Sequence, residues 1–238
     1  VNHKKNMIKL FEKVSYRHNL WTVYSDFLEM SAITLSNSVD FINRSKREKR
    51  YMDVIAAYSK EEGAIFPKLF AELVMALEEE TSDVLGEIFM ELQLGNKWKG
   101  QFFTPIHISK AMGAMTIENI DTVIKEKGFI TVSEPSAGGG STIIGLALAL
   151  KDKGYNYHIL LIVTAVDLDI KAVHMCYIQL SLLGIPAIVL HGNTLSMKMY
   201  EEWKTPFYVL GGWQFRKQKK PKKKIDFQVK ENGQMAMF

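Results

Sequence analysis

Glu134-Pro135-Ser136-Ala137-Gly138-Gly139-Gly140-Ser141 lies directly between an apolar run, Phe129 to Ser133, and a segment with helical spacing, Ser141 to Lys153. A strand that turns through three glycines into a helix brings main chain close to whatever sits above it, because glycine has no Cβ to hold a ligand away. The helix start adds unpaired N–H groups aimed at the same place. The acid in front of the glycines decides what kind of ligand suits the turn. A dinucleotide cradle needs another glycine spacing and receives a pyrophosphate, which Glu134 would repel. A cationic, amine-bearing ligand is the better match. A plain structural turn uses the same residue types, so the surrounding pattern has to decide.

Working outward, two further short apolar runs follow, Ile159 to Val166 and Ala187 to Leu190. They alternate with helical segments at Ile106 to Lys127, Ser141 to Lys153 and Ile170 to Leu183, the last stopped by Gly184-Ile185-Pro186. The expectation is β-α-β-α-β, an α/β architecture with a parallel sheet and helices packed on it. The second strand ends at Asp167-Leu168-Asp169, where a carboxylate at the strand tip can hold two ribose hydroxyls. Asp167 is the expected ribose ligand, and Asp169 reads as a helix N-cap. The third strand ends at His191-Gly192-Asn193-Thr194, where the Asn193 amide either reads an adenine edge or closes a simple turn. Phe207 to Trp213 reads as a fourth strand, and nothing beyond it forms another βα unit.

On the N-terminal side, Leu10 to about Gly95 has helical periodicity, as in Phe66, Leu69, Phe70, Leu73, Val74 and Leu77. The expected organisation is a helical domain over 1–95, an α/β domain over 96–215 and a basic tail over 216–238. Arg44, Lys46, Arg47, Lys49 and Arg50 form a basic cluster that reads as a solvated helix face in preference to a DNA contact. With 238 residues, 47% of them hydrophobic, the chain can bury a sizeable core. The single cysteine, Cys176, cannot pair within the chain, which favours a reducing, cytoplasmic setting. No apolar stretch is long enough to span a membrane, and no metal is expected. The net charge of +4 is unevenly placed: Arg216, Lys217, Lys219, Lys220, Lys222, Lys223 and Lys224 carry seven positive charges, leaving −3 on the rest. The folded body therefore has no global attraction for nucleic acid, and any such contact must be local.

From Asp83 to Leu195 the chain resembles the modification subunits of type I restriction systems and related adenine-amine DNA methyltransferases. Asp83-Val84-Leu85-Gly86-Glu87-Ile88-Phe89 looks like the family's helix before the catalytic domain. Gly100-Gln101-Phe102-Phe103-Thr104-Pro105 looks like its loop against the methionine end of the cofactor. Glu134 to Gly140 is similar to its Asp-Pro-Ala-x-Gly-x-Gly turn, with Glu for Asp and Ser for Ala. The resemblance implies a Rossmann-like S-adenosylmethionine-dependent methyltransferase fold with a partial parallel sheet and an N-terminal all-helical domain. It implies S-adenosylmethionine as cofactor, held by Gln101, Phe102, Phe103, Thr104, Pro105, Glu134, Pro135, Ser136, Ala137, Gly138, Gly140, Ser141, Asp167, Leu168, Asn193 and Thr194.

The family orients the target amine with an Asn/Asp/Ser-Pro-Pro-Tyr/Phe segment, and this sequence has none. The nearest stretch, Thr205-Pro206-Phe207-Tyr208, reads as a degenerate catalytic site or as an ordinary loop. Two functions follow: an adenine-specific DNA methyltransferase of phage or mobile-element type, or a catalytically inactive cofactor-binding accessory in DNA modification or anti-restriction. DNA is the expected partner, with a second methyltransferase or specificity subunit supplying what is missing. Gln234-Met235-Ala236-Met237-Phe238 looks like the short peptide that bacterial replication and repair proteins insert into the sliding clamp, or is simply an apolar end.

Overall fold

The computed structural model describes residues 2–92, 94 and 104–216, and the backbone of two short paired strands, Gln228–Val229 and Met235–Ala236. Six helices open the chain: α1 (His3–Ser15), α2 (Leu20–Asn37), α3 (Arg44–Ile55), α4 (Lys60–Gly63), α5 (Phe66–Glu79) and α6 (Val84–Glu91). Their starts are set by short polar side chains that take up otherwise unpaired N–H groups. Asn2 accepts from Lys5, Asn19 from Trp21 and Asp83 from Gly86, while Ser59 and Glu62 form a reciprocal capping box. The period-3.6 pattern read in α5 buries Phe66, Leu69, Leu73 and Leu77. They pack with Met7 and Phe11 of α1 and with Tyr24, Phe27 and Leu28 of α2.

The α/β part begins with α7 (Ile106–Thr116) and α8 (Ile120–Lys127) and continues as β1 (Ile130–Glu134), α9 (Ser141–Asp152), α10 (Tyr157–Leu160), β2 (Leu161–Asp167), α11 (Ile170–Leu182), β3 (Ala187–Asn193), β4 (Lys198–Lys204) and α12 (Pro206–Leu210). The sheet order is β1-β2-β3-β4; β1, β2 and β3 are parallel and β4 is antiparallel to β3. The expected β-α-β-α-β core is therefore present, a Rossmann-like half-sheet. Val163 and Ala165 of β2 and Ala187 and Val189 of β3 are fully buried on one face, whereas Ile162, Thr164, Ile188 and Leu190 on the other face are only half-covered.

Two expectations are corrected. The single helix over Ile106 to Lys127 is two helices, interrupted around Ile117, whose N–H still reaches the Gly113 carbonyl. Phe207 to Trp213 is not a strand: Pro206 occupies the first turn of α12, where its fixed φ and missing N–H cost nothing, and a 3-10 turn follows at Trp213–Phe215. The fourth strand is instead Lys198–Lys204, a charged segment whose only buried residue is Trp203. The helical part and the sheet share one continuous core, because α2 and α6 pack on α11. Among the described residues no helix is long and apolar enough to cross a membrane.

Candidate functional site

The three parallel strands end side by side, with Glu134, Asp167 and Asn193 at or near their carboxyl tips. In an open α/β sheet this is the edge where ligands sit. The glycine turn fills the space above β1. Gly138 and Gly140 both adopt positive φ, 53° and 94°, which only glycine does without strain, and Gly140 is the N-cap of α9. A Cβ on Gly140 would lie 3.1 Å from the Cys176 sulfur, a tight contact that would press the turn against α11. Cys176 itself is fully buried, and that burial pushes its thiol well up, making it an inert packing group.

Asp167 is wired into the turn. One oxygen accepts from Gly138 N–H at 2.8 Å and the other from Asp169 N–H at 2.9 Å. A carboxylate has about four lone-pair sites, so each oxygen keeps acceptor capacity toward the half-exposed side. Asp169 caps α11 through Lys171 N–H at 2.9 Å, and burial raises its carboxyl, with the neighbouring Asp167 charge adding to the rise. Leu168, between the two acids, is 61% exposed and offers an apolar surface at the mouth. Glu134 accepts from Thr142 Oγ1 at 3.1 Å and from Ser136 N–H at 3.3 Å, which keeps its carboxylate at the β1 tip.

Thr194 donates to the Pro135 carbonyl at 2.7 Å and ties the β3 end to the turn, while Ala137 N–H donates to Val166 O at 2.9 Å. Asn193 uses its side-chain oxygen to accept from Ser196 N–H at 3.0 Å. The turn reading of that residue thus has a bond behind it, and its amide nitrogen is what remains for a ligand. Ser141 donates to the Thr104 carbonyl at 2.6 Å and pairs with Ser109 at 3.0 Å, which brings Thr104 and Pro105 to the start of α9. Sequence reading missed Thr142 and Ser109, which carry no motif and act only because α7 and α9 pack closely. Gln101, Phe102 and Phe103 lie outside the described residues.

Thr205, Pro206, Phe207 and Tyr208 sit elsewhere. Since β4 runs antiparallel, Lys198 pairs with Asn193 and Lys204 with Ile188, and the chain leaves β4 beside the first residue of β3. The seven-residue strand β3 therefore separates this segment from the site by about 20 Å. Thr205 is fully buried, and its hydroxyl donates to Ile185 O and accepts from Ala187 N–H, both at 2.9 Å. It locks a strand start, and the structure does not bring it to the glycine turn. Of the C-terminal peptide only the backbone of Met235 and Ala236 is described, paired with Val229 and Gln228; Gln234, Met237 and Phe238 lie outside the described residues. No group of metal-ligating side chains occurs among the described residues.

Residues 80–236 match the family described as N-6 DNA Methylase. The chain belongs to that family. The match takes in α6, the glycine turn, the three parallel strand tips and the Thr205 segment. No curated protein matches the chain. Two solved structures are similar to it at 15% identity. One is a Listeria monocytogenes protein described as a class I S-adenosylmethionine-dependent methyltransferase (TM-score 0.42, 84% of this chain, 56% of that one). The other is the type I restriction-modification system methyltransferase subunit from Streptococcus thermophilus (TM-score 0.43, 81% of this chain, 40% of that one). The chain thus spans about half the length of these two proteins.

Proposed function

We propose that this chain binds S-adenosylmethionine on the Glu134–Ser141 turn and serves transfer of its methyl group to the amine of adenine in DNA. The observation that carries the reading is Asp167, a strand-tip carboxylate fixed by two main-chain N–H groups with acceptor capacity left for a ribose diol. Glu134 suits the ammonium end of the cofactor, Leu168 and the Asn193 amide its adenine, and Thr104 and Pro105 the methionine side together with Gln101 to Phe103. Bound there, the cofactor supplies an electrophilic methyl on a sulfonium. The chain's own part is to hold it: small residues at Ser136 to Gly140 admit it closely, and the hydrogen bonds from Thr142 and Gly138 keep both carboxylates aimed.

Orienting the acceptor amine needs further groups, since such positioning can carry much of the rate. The burial of Thr205 at the opposite sheet edge favours a second reading, a cofactor-binding member that needs another chain or segment for transfer. One experiment separates the two: calorimetry with S-adenosylmethionine, and labelled-methyl transfer to unmethylated DNA from the same sample. Binding with transfer supports the complete enzyme, and binding without transfer the dependent one. Absence of binding removes the proposal.

A further inference from the structure

Gln179 begins the last turn of α11 and is fully buried. A buried amide needs all its groups paired, and this one has them. Its nitrogen donates to Asp83 Oδ1 at 2.8 Å and to the Gly139 carbonyl at 2.9 Å, and its oxygen accepts from Leu85 N–H at 3.0 Å. The amide orientation is fixed by these partners, since a flip would set its oxygen against two acceptors and its NH2 against an N–H. Asp83 is the N-cap of α6, 3% exposed, and also accepts from Gly86 N–H at 2.9 Å. A Cβ on Gly86 would lie 2.4 Å from that carboxylate, so the glycine is required by the cap.

The Gly139 carbonyl belongs to the same peptide unit as Gly140 N–H, which donates to Ala137 O at 2.9 Å. That carbonyl in turn shares a peptide unit with Gly138 N–H, the group that holds Asp167 at 2.8 Å. Three hydrogen bonds joined through two planar peptide units therefore run from Gln179 to Asp167. Chains of this kind reinforce one another where water is excluded.

We propose that Gln179 is a positioning residue that sets the glycine turn, and through it Asp167, against the α6 N-terminus, making cofactor affinity depend on how α6 is seated. The inference rests on the reading that this turn holds S-adenosylmethionine. Gln179→Leu removes both donors at little change in volume, and Gln179→Glu replaces the two N–H donors with a single O–H that is present only when the carboxyl is protonated. In that variant the new carboxyl faces Asp83 and the Gly139 carbonyl, with Glu87, Lys4, Tyr24 and Cys176 acting on Asp83 or acted on by it. Burial and the neighbouring acid both raise its pKa, so the proton returns as pH falls.

The test is the dissociation constant for S-adenosylmethionine, by calorimetry on the full chain, with circular dichroism confirming fold. Gln179→Leu is expected to bind about tenfold more weakly or worse. For Gln179→Glu the ratio to wild type should be about tenfold at pH 8 and smaller at pH 6, without returning to one, because a single O–H replaces only one of the two donations. Unchanged affinity in a folded Gln179→Leu overturns the proposal, as does a ratio for Gln179→Glu that is flat with pH. If the leucine variant does not fold, the pH ratio decides alone. Wild-type protein that fails to bind sinks the cofactor reading itself, a distinct result.

Discussion

Asp167 and Asp169 are two residues apart, and the hydrogen bonds separate their roles. Asp169 caps α11, so Asp169→Ala should cost about 1 kcal/mol of stability and leave cofactor affinity nearly unchanged. Asp167→Ala removes the acceptor that fixes Gly138 together with the proposed ribose partner, and S-adenosylmethionine should then bind about 10- to 100-fold more weakly. Denaturant midpoints and calorimetry on both variants check this, and equal affinity losses would remove the distinction. The Asp169 cap was legible in the sequence because it acts within its own strand-turn-helix junction, whereas the bond from Gly138 to Asp167 spans 29 residues and had no local signal. Gln179 was not legible, because its partners Gly139 and Asp83 lie 40 and 96 residues away, and only the polar amide inside an apolar helix pointed to it.

Among the elements, the crossing of α7 and α9 decides where Thr104 sits. Gly145 meets the Ser109 backbone so closely that a Cβ would lie 2.4 Å from its carbonyl carbon, and one on Gly113 would lie 2.8 Å from Leu146 Cα. Gly145→Ala gains up to about 1 kcal/mol of helix propensity, but overpacking against main chain costs about 1–3 kcal/mol, because backbone cannot swing aside like a side-chain tip. The expected net result is a lower melting temperature and weaker cofactor binding, as Ser141 loses the Thr104 carbonyl. A rise in melting temperature would show that the helices separate freely. The three parallel strands and their helices were legible from apolar runs and stop signals. The strand β4 was not: its segment Lys-Met-Tyr-Glu-Glu-Trp-Lys has exposed residues at every position but Trp203 and Lys204, so there is no buried face to print an alternation.

At the scale of the whole molecule, the helical part and the sheet are held together around Trp203. Arg47 of α3 stacks on the Trp203 ring at 4.0 Å, pairs with Asp40 at 2.6 Å and donates to the Glu202 carbonyl at 2.9 Å. The basic cluster is thus in part a seam between α3 and β4 and not wholly a solvated face. Beneath it His174 meets Trp203 edge-on at 4.9 Å, is 5% exposed, and leaves its Nε2 without a protein partner. Burial, with the charges of His191, Arg47 and Arg50 adding to it, pushes the imidazole down to about 3 from an ordinary value of 6.5. A base whose folded pKa is depressed takes up its proton more readily when unfolded, so its contribution to stability is complete above pH 6.5 and is lost as pH falls toward about 3. Asp26, Asp83 and Asp169 have raised values and act in the opposite sense, losing their contribution as pH rises through them. The difference between wild type and His174→Phe isolates the imidazole: urea midpoints should fall more steeply for wild type than for the variant between pH 6.5 and 4. Parallel slopes would mean that the seam opens and lets His174 protonate in the folded protein, so that the helical part and the sheet are joined less tightly than the shared core implies.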